Sequence, residues 1–147
     1  TTTTVSVPYQ AGLLITFRIF QTSVCGGSII SDTRILTGAH CNNDGVNIAQ
    51  SITVVVGSNF LFTGGTRVDV TAVAMYPGYN PRIVANDVAV MVIPRIGFSL
   101  TVQPVNLPSG SELNNLFVGQ TALASGYGIT RDGESVGLTQ MISSVNL

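Results

Sequence analysis

Charge is scarce in this chain: Asp, Glu, Lys and Arg make up 9% of its 147 residues, Lys and Arg number 6, and the formal net charge is −1. Nucleic acids and anionic membranes attract proteins through clustered cations, so neither is expected as a partner. Long apolar runs are missing too. The longest is about the length of Val88-Ala89-Val90-Met91-Val92-Ile93, far short of the roughly 18 to 20 residues a membrane helix requires. There is no convincing amphipathic helix pattern and no Asn-x-Ser/Thr acceptor, so N-glycosylation is not expected. Thr1-Thr2-Thr3-Thr4 has neither a basic start nor an apolar signal core, so any secretory signal is expected to have been removed.

Cysteine and histidine are nearly absent as well, with 2 of the former and 1 of the latter. Two Cys and one His cannot complete a four-ligand structural zinc site without carboxylates. Cys25 and Cys41 therefore fit an oxidising compartment better than a metal centre, and secretion is expected. No metal, nucleotide or organic cofactor is expected.

Apolar side chains are plentiful, at 45% of the chain, enough to bury a core. β-Branched runs such as Ser51-Ile52-Thr53-Val54-Val55-Val56 and Arg67-Val68-Asp69-Val70-Thr71-Ala72-Val73 are punctuated by Gly, Asn and Pro. Six segments read as strands, at about 12–20, 24–31, 34–37, 51–57, 67–76 and 88–93. Six strands can close a small barrel, here expected as an antiparallel meander. Gln103-Pro104-Val105-Asn106-Leu107-Pro108-Ser109-Gly110 reads as a surface linker. Gly119 to Gly126 and Leu138 to Leu147 then look like the first strands of something larger, with Met141–Leu147 as an apolar edge.

His40 and Asp87 are the residues suited to chemistry. A general base working near neutral pH is most often a histidine, oriented through one ring nitrogen so that the other faces a nucleophile. Asp87 precedes an apolar strand, where an unpaired carboxylate would be costly, so it needs a partner, and an imidazole can serve. A bridge joining Cys25 to Cys41 would pin the loop carrying His40, contributing on the order of 3 kcal/mol. Ser28, in the Cys-Gly-Gly-Ser block, and Ser125, expected in a turn, lack a nucleophile–base motif and read as structural.

Seven blocks in order and spacing carry a resemblance. They are Pro8-Tyr9-Gln10, Cys25-Gly26-Gly27-Ser28-Ile29-Ile30, Ile35-Leu36-Thr37-Gly38-Ala39-His40-Cys41, Tyr76-Pro77-Gly78-Tyr79-Asn80, Asn86-Asp87-Val88-Ala89-Val90, Val102-Gln103-Pro104-Val105 and Ser125-Gly126-Tyr127-Gly128. Together they resemble the chymotrypsin/trypsin family of serine proteases over the whole length. The resemblance implies an all-β fold, a chymotrypsin-like antiparallel β-barrel, with a complete first barrel at 1–106 and a linker plus the start of a second barrel at 107–147. It further implies that His40 is the general base, Asp87 its orienting carboxylate, and Cys25–Cys41 a disulfide beside them.

Departures from the family pattern accompany the resemblance. Gly38 stands where alanine is usual and Tyr127 where tryptophan is common, while the processed Ile-Val-Gly-Gly start and the nucleophilic Gly-Asp-Ser-Gly-Gly do not occur in these residues. The chain is therefore expected to be the N-terminal part of a secreted serine endopeptidase, inactive by itself. Its expected partners are a protein or peptide substrate, a C-terminal fragment carrying the catalytic serine, and a protein inhibitor. The alternative is a noncatalytic protease-like binding module. Calcium is a family accessory, but Asn42-Asn43-Asp44-Gly45 offers one carboxylate and reads as a turn.

Overall fold

The computed structural model describes residues 7–18, 21–128 and 143–146. The threonine run, the end of the first expected segment at 19–20, the beginnings of the 138–147 and 141–147 segments, and Leu147 lie outside the described residues. The strands are β1 (Gln10–Arg18), β2 (Gln21–Ser31), β3 (Arg34–Thr37), β4 (Ser51–Val56), β5 (Thr66–Asp69), β6 (Ala72–Met75), β7 (Ala89–Val92), β8 (Leu123–Gly126) and β9 (Ser143–Asn146). Short 3-10 turns occupy Ala39–Cys41 and Gly110–Asn114, and no α-helix occurs among the described residues.

The large sheet runs β5-β4-β1-β2-β3-β7-β6 with every pairing antiparallel. Its two outermost strands are consecutive in the chain. Val70 N–H donates to Ile52 C=O at 2.9 Å and Thr71 N–H to Val92 C=O at 2.8 Å. The chain thus hands its ladder from β4 to β7 within one dipeptide, and the sheet closes on itself. The expected segment at 67–76 is this single bent strand, split into β5 and β6 where it changes neighbours. The expectation of a simple meander is corrected by β4, which pairs with β1, giving the Greek-key order 4-1-2-3. The loop after β3 carries the chain across to that edge, anchored where Gln50 N–H donates to Thr16 C=O at 2.8 Å.

Alternation explains what fills the barrel. Ala11, Leu13, Ile15 and Phe17 of β1 face inward with Ile29, Ile35, Ile52, Val54, Val56 and Met91, closed off by Ile93, Ile96 and Val102. The outward face of β1 meets a second, smaller cluster of Val7, Leu61 and Tyr127, against which Leu14, Val24 and Phe62 pack. Gly12 faces this cluster. A Cβ there would lie 2.6 Å from Leu61 Cδ1 and 3.1 Å from Tyr127 Cε2, and both side chains are buried. Gly12→Val is accordingly expected to cost about 1–3 kcal/mol by overpacking, read as a lower urea midpoint. An unchanged midpoint would show that the second cluster is loose.

Tyr127 also ties this cluster to the barrel, because its hydroxyl donates to Ser58 C=O. Burial raises the Tyr127 phenol above its ordinary value, and nearby Arg67 offsets only part of that rise. Beyond the polar crossing segment, β8 and β9 form a separate antiparallel pair. Ser125, expected in a turn, belongs to β8, where its hydroxyl donates to Gln10 Oε1 at 2.7 Å.

Candidate active site

Register brings His40 and Asp87 together. β3 and β7 pair as Arg34↔Val92, Ile35↔Met91, Leu36↔Val90 and Thr37↔Ala89. Continuing that antiparallel count past the end of the ladder sets Ala39 opposite Asp87. Residues 47 apart in sequence thus meet at one end of the barrel.

Each side has its own local device. After β3 the chain tightens into the 3-10 turn Ala39–Cys41, with Cys41 N–H donating to Gly38 C=O at 3.2 Å and Asn42 N–H to Ala39 C=O at 3.0 Å. Thr37 Oγ1 donates to Gly26 C=O at 2.8 Å, fixing the strand end to β2. Before β7, Val84 and Asn86 take φ of 53° and 59°, a left-handed backbone that asparagine tolerates and that is strained for a β-branched valine. The bend is held by Asn86 Nδ2 donating to Gly78 C=O at 3.0 Å and by the Tyr79 hydroxyl donating to Asn43 C=O at 2.6 Å. It delivers Asp87 to the histidine.

The carboxylate holds His40 at two points. Oδ2 lies 2.6 Å from Nδ1 of the ring, and Oδ1 accepts the backbone N–H of the same residue at 2.8 Å. An ionised carboxylate only accepts, so Nδ1 carries the proton and Nε2 keeps its lone pair. Partial burial pushes the Asp87 carboxyl up, but hydrogen bonds from the His40 amide and ring, with help from Ala39, outweigh it and hold the group below its ordinary value. Asp87 therefore remains a charged acceptor at neutral pH, while about half of the His40 side chain, 52%, stays open to solvent.

Cys25 and Cys41 form a disulfide, directly beside the ring. His40 Nε2 is 3.7 Å from Cys41 Sγ and 3.9 Å from Cys25 Sγ. These three atoms lie within 4.8 Å of one another, but sulfurs bonded to each other are not thiolates and do not ligate a metal. The loop Asn42–Gly45 is a turn: Asp44 Oδ1 accepts Val46 and Asn47 N–H at 2.9 and 2.7 Å. Those bonds also hold the Asp44 carboxyl low.

All four residues expected at the site, His40, Asp87, Cys25 and Cys41, converge. Ser28 lies in β2 opposite Gln10 and Leu36, and Ser125 is engaged by Gln10. Sequence reading missed the second grip of Asp87, on a backbone amide that no side-chain pattern reveals. It also took Gly38 as a minor change. A Cβ at Gly38 would sit 2.8 Å from His40 Nδ1 and 3.2 Å from Asp87 Oδ1, so this glycine gives the pair its room. The departure from alanine beside the histidine was the available signal.

A family model described as Trypsin matches residues 1–147. Among curated relatives, the chain is similar to the collagenase of Hypoderma lineatum, 41% identical over 121 residues, which are 82% of this chain and 45% of that protein. It is also similar to trypsin beta of Drosophila erecta, 35% identical over 135 residues, 91% of this chain and 49% of the relative. The chain thus spans about half the length of the curated relatives it matches. Among solved structures, HL collagenase aligns with a TM-score of 0.80 at 36% identity, over 95% of this chain and 57% of that one. The scabies mite inactivated protease paralogue S-D1 aligns with a TM-score of 0.79 at 26% identity, over 95% and 56% respectively.

Proposed function

This chain belongs to the trypsin family of serine proteases and shares its chymotrypsin-like antiparallel β fold, and from that premise we propose that it is the N-terminal part of a secreted endopeptidase cleaving protein or peptide substrates. His40 Nε2 takes the proton of a serine carried outside these residues and returns it to the leaving amine, while Asp87 fixes the tautomer and stabilises the imidazolium. The disulfide Cys25–Cys41 holds the turn on which the base sits. The observation that carries this reading is the double grip of Asp87 on His40, ring and amide together, at 2.6 and 2.8 Å. It leaves the Nε2 lone pair free on a ring that is about half open to solvent.

On this reading 1–106 are assigned to the barrel that bears the base, and 107–147 to the crossing linker and the first strands of an incomplete second barrel. The backbone bonds Gln103 N–H to Pro8 C=O and Val105 N–H to Ile29 C=O support that division, since they bind the chain to the barrel up to Val105. Alone, the chain hydrolyses nothing, and its partners are substrate, the C-terminal part with the serine, and a protein inhibitor. A phosphonyl fluoride probe on the complete protein tests the reading. One labelled serine outside 1–147, lost in His40→Ala, is expected. An intact protein that takes no label would overturn it.

That outcome would favour a second reading, a noncatalytic protease-like binding module. The likeness to a protein titled an inactivated protease paralogue gives that reading its support. The residue at the serine position distinguishes the two.

A further inference from the structure

The chain's 6 basic residues are all arginine. Arg18, Arg34 and Arg67 lie in β1, β3 and β5, paired with Gln21, Val92 and Val55 in turn, and Arg95 pairs with Asp32 at 3.4 Å just ahead of the buried Ile96. Arg82 is placed differently. It sits in the loop tip 81–84, closed by Asn80 N–H donating to Ala85 C=O at 3.0 Å and Ala85 N–H to Asn80 C=O at 3.2 Å. The tip itself is tied only where Arg82 N–H donates to Asn80 Oδ1 at 3.0 Å. The Arg82 side chain is exposed, and Ile83 and Val84 after it are 71% and 57% exposed. Exposed loop tips are where endopeptidases nick folded proteins, and here two backbone bonds have to open for the tip to extend into a protease cleft. Val84 favours that opening: its φ of 53° is strained for a β-branched residue and relaxes once the turn extends.

We infer that the Arg82–Ile83 bond is a limited-proteolysis site, through which an arginine-specific endopeptidase switches the His40–Asp87 pair off. Water adds its hydroxyl to the Arg82 carbonyl carbon as the C–N bond breaks, and its other proton, with the proton of the new carboxyl group, leaves Ile83 as an ammonium. The pieces stay together. β6 precedes the cut and β7 follows it, yet β7 lies between β3 and β6 in the sheet and pairs with both. What the cut frees is the bend. The closed turn imposes the left-handed φ of Val84 and Asn86, 53° and 59°, and Asp87 follows directly. Of the two side-chain ties on the bend, Tyr79 to Asn43 stays on the severed side, leaving Asn86 to Gly78 at 3.0 Å alone on the Asp87 side. With Ile83 a free end, Val84 relaxes to extended backbone and the carboxylate leaves the ring and amide of His40, which it holds at 2.6 and 2.8 Å in the intact chain. The cut does not depend on the proteolytic reading; the loss of activity rests on it.

Immobilised trypsin is the probe, applied briefly to the complete protein and filtered off before labelling with the phosphonyl fluoride. The first new chain start is expected to read Ile83-Val84-Ala85-Asn86-Asp87, with the pieces copurifying on gel filtration and the far-ultraviolet strand signal kept. Labelling of the nicked protein should slow at least about 100-fold, the scale of an ångström of misplacement. The downfield resonance of the His40 Nδ1 proton, assigned by its loss in His40→Ala, should vanish with it. Arg82→Gln is expected to label like the parent and to keep that rate after trypsin. A first cut at another bond, a strand signal lost on nicking, or nicked protein that labels at the parent rate would each overturn the inference. Intact protein that takes no label fails the proteolytic reading instead, and the Nδ1 resonance then decides: its persistence after the cut overturns the inference, and its loss upholds it.

Discussion

Replacing His40 with alanine in the complete protein is expected to lower kcat for a peptide ester by about a millionfold, as when the base is removed from other triads that act as a unit. The effect should fall on kcat, since the ring serves a proton transfer made only in the transition state. KM should move little. Binding and oxyanion contacts would leave roughly a thousandfold or more of catalysis over water. Folding should be spared, because the ring is half exposed, and the amide that Asp87 Oδ1 accepts belongs to the backbone. Far-ultraviolet circular dichroism and the urea midpoint check that point. A kcat within about tenfold of the parent, in a folded variant, would remove His40 from the chemistry.

The barrel was legible because β-branched runs broken by Gly, Asn and Pro mark its strands. Ile52, Val54 and Val56 recur at the two-residue spacing that fills one side of a sheet, and the expected segments at 34–37 and 51–57 coincide almost residue for residue with β3 and β4. Pairing was not legible, since alternation says which face a residue shows and nothing about its neighbour. Hence nothing in the pattern shows that β4, which follows β3 in the chain, lies beside β1. The bend at Val70–Thr71 was hidden for a related reason: both halves of the strand are β-branched and extended, and only the change of partner, from Ile52 to Val92, marks the corner.

The site was legible through residue type and order. His40 is the sole histidine, and Asp87 stands before an apolar strand that leaves a carboxylate few other partners. What pattern could not supply was orientation. The left-handed Val84 and Asn86 turn Asp87 toward the histidine, and a valine gives no hint of that conformation. Ser125 was misplaced because Ser-Gly reads as a turn, whereas its pairing with Ser144 across β8 and β9 makes it a strand residue.

Asp87→Asn separates orientation from mere packing, because the two groups are nearly the same size. Oδ1 accepts the His40 amide at 2.8 Å, so the carboxamide must set its oxygen there and turn its NH2 toward Nδ1. The NH2 donates, Nδ1 must then accept, and the ring proton moves to Nε2, the atom that has to be free. The expected loss in kcat is about ten-thousandfold, the cost of the wrong tautomer in a triad, with KM nearly unchanged. Acid sensitivity gives a second readout. The Asp87 carboxyl lies below its ordinary value in the folded chain, so its contribution to stability is complete above that value and fades as pH falls through the folded one. The parent should therefore lose stability below about pH 4 by a component that the Asp87→Asn variant lacks. Urea midpoints measured from neutral to acid pH should converge as the carboxylate is protonated. Parallel curves would show that the His40 contacts do not favour the charged carboxylate, and a kcat loss under about tenfold that the carboxylate does not orient the ring.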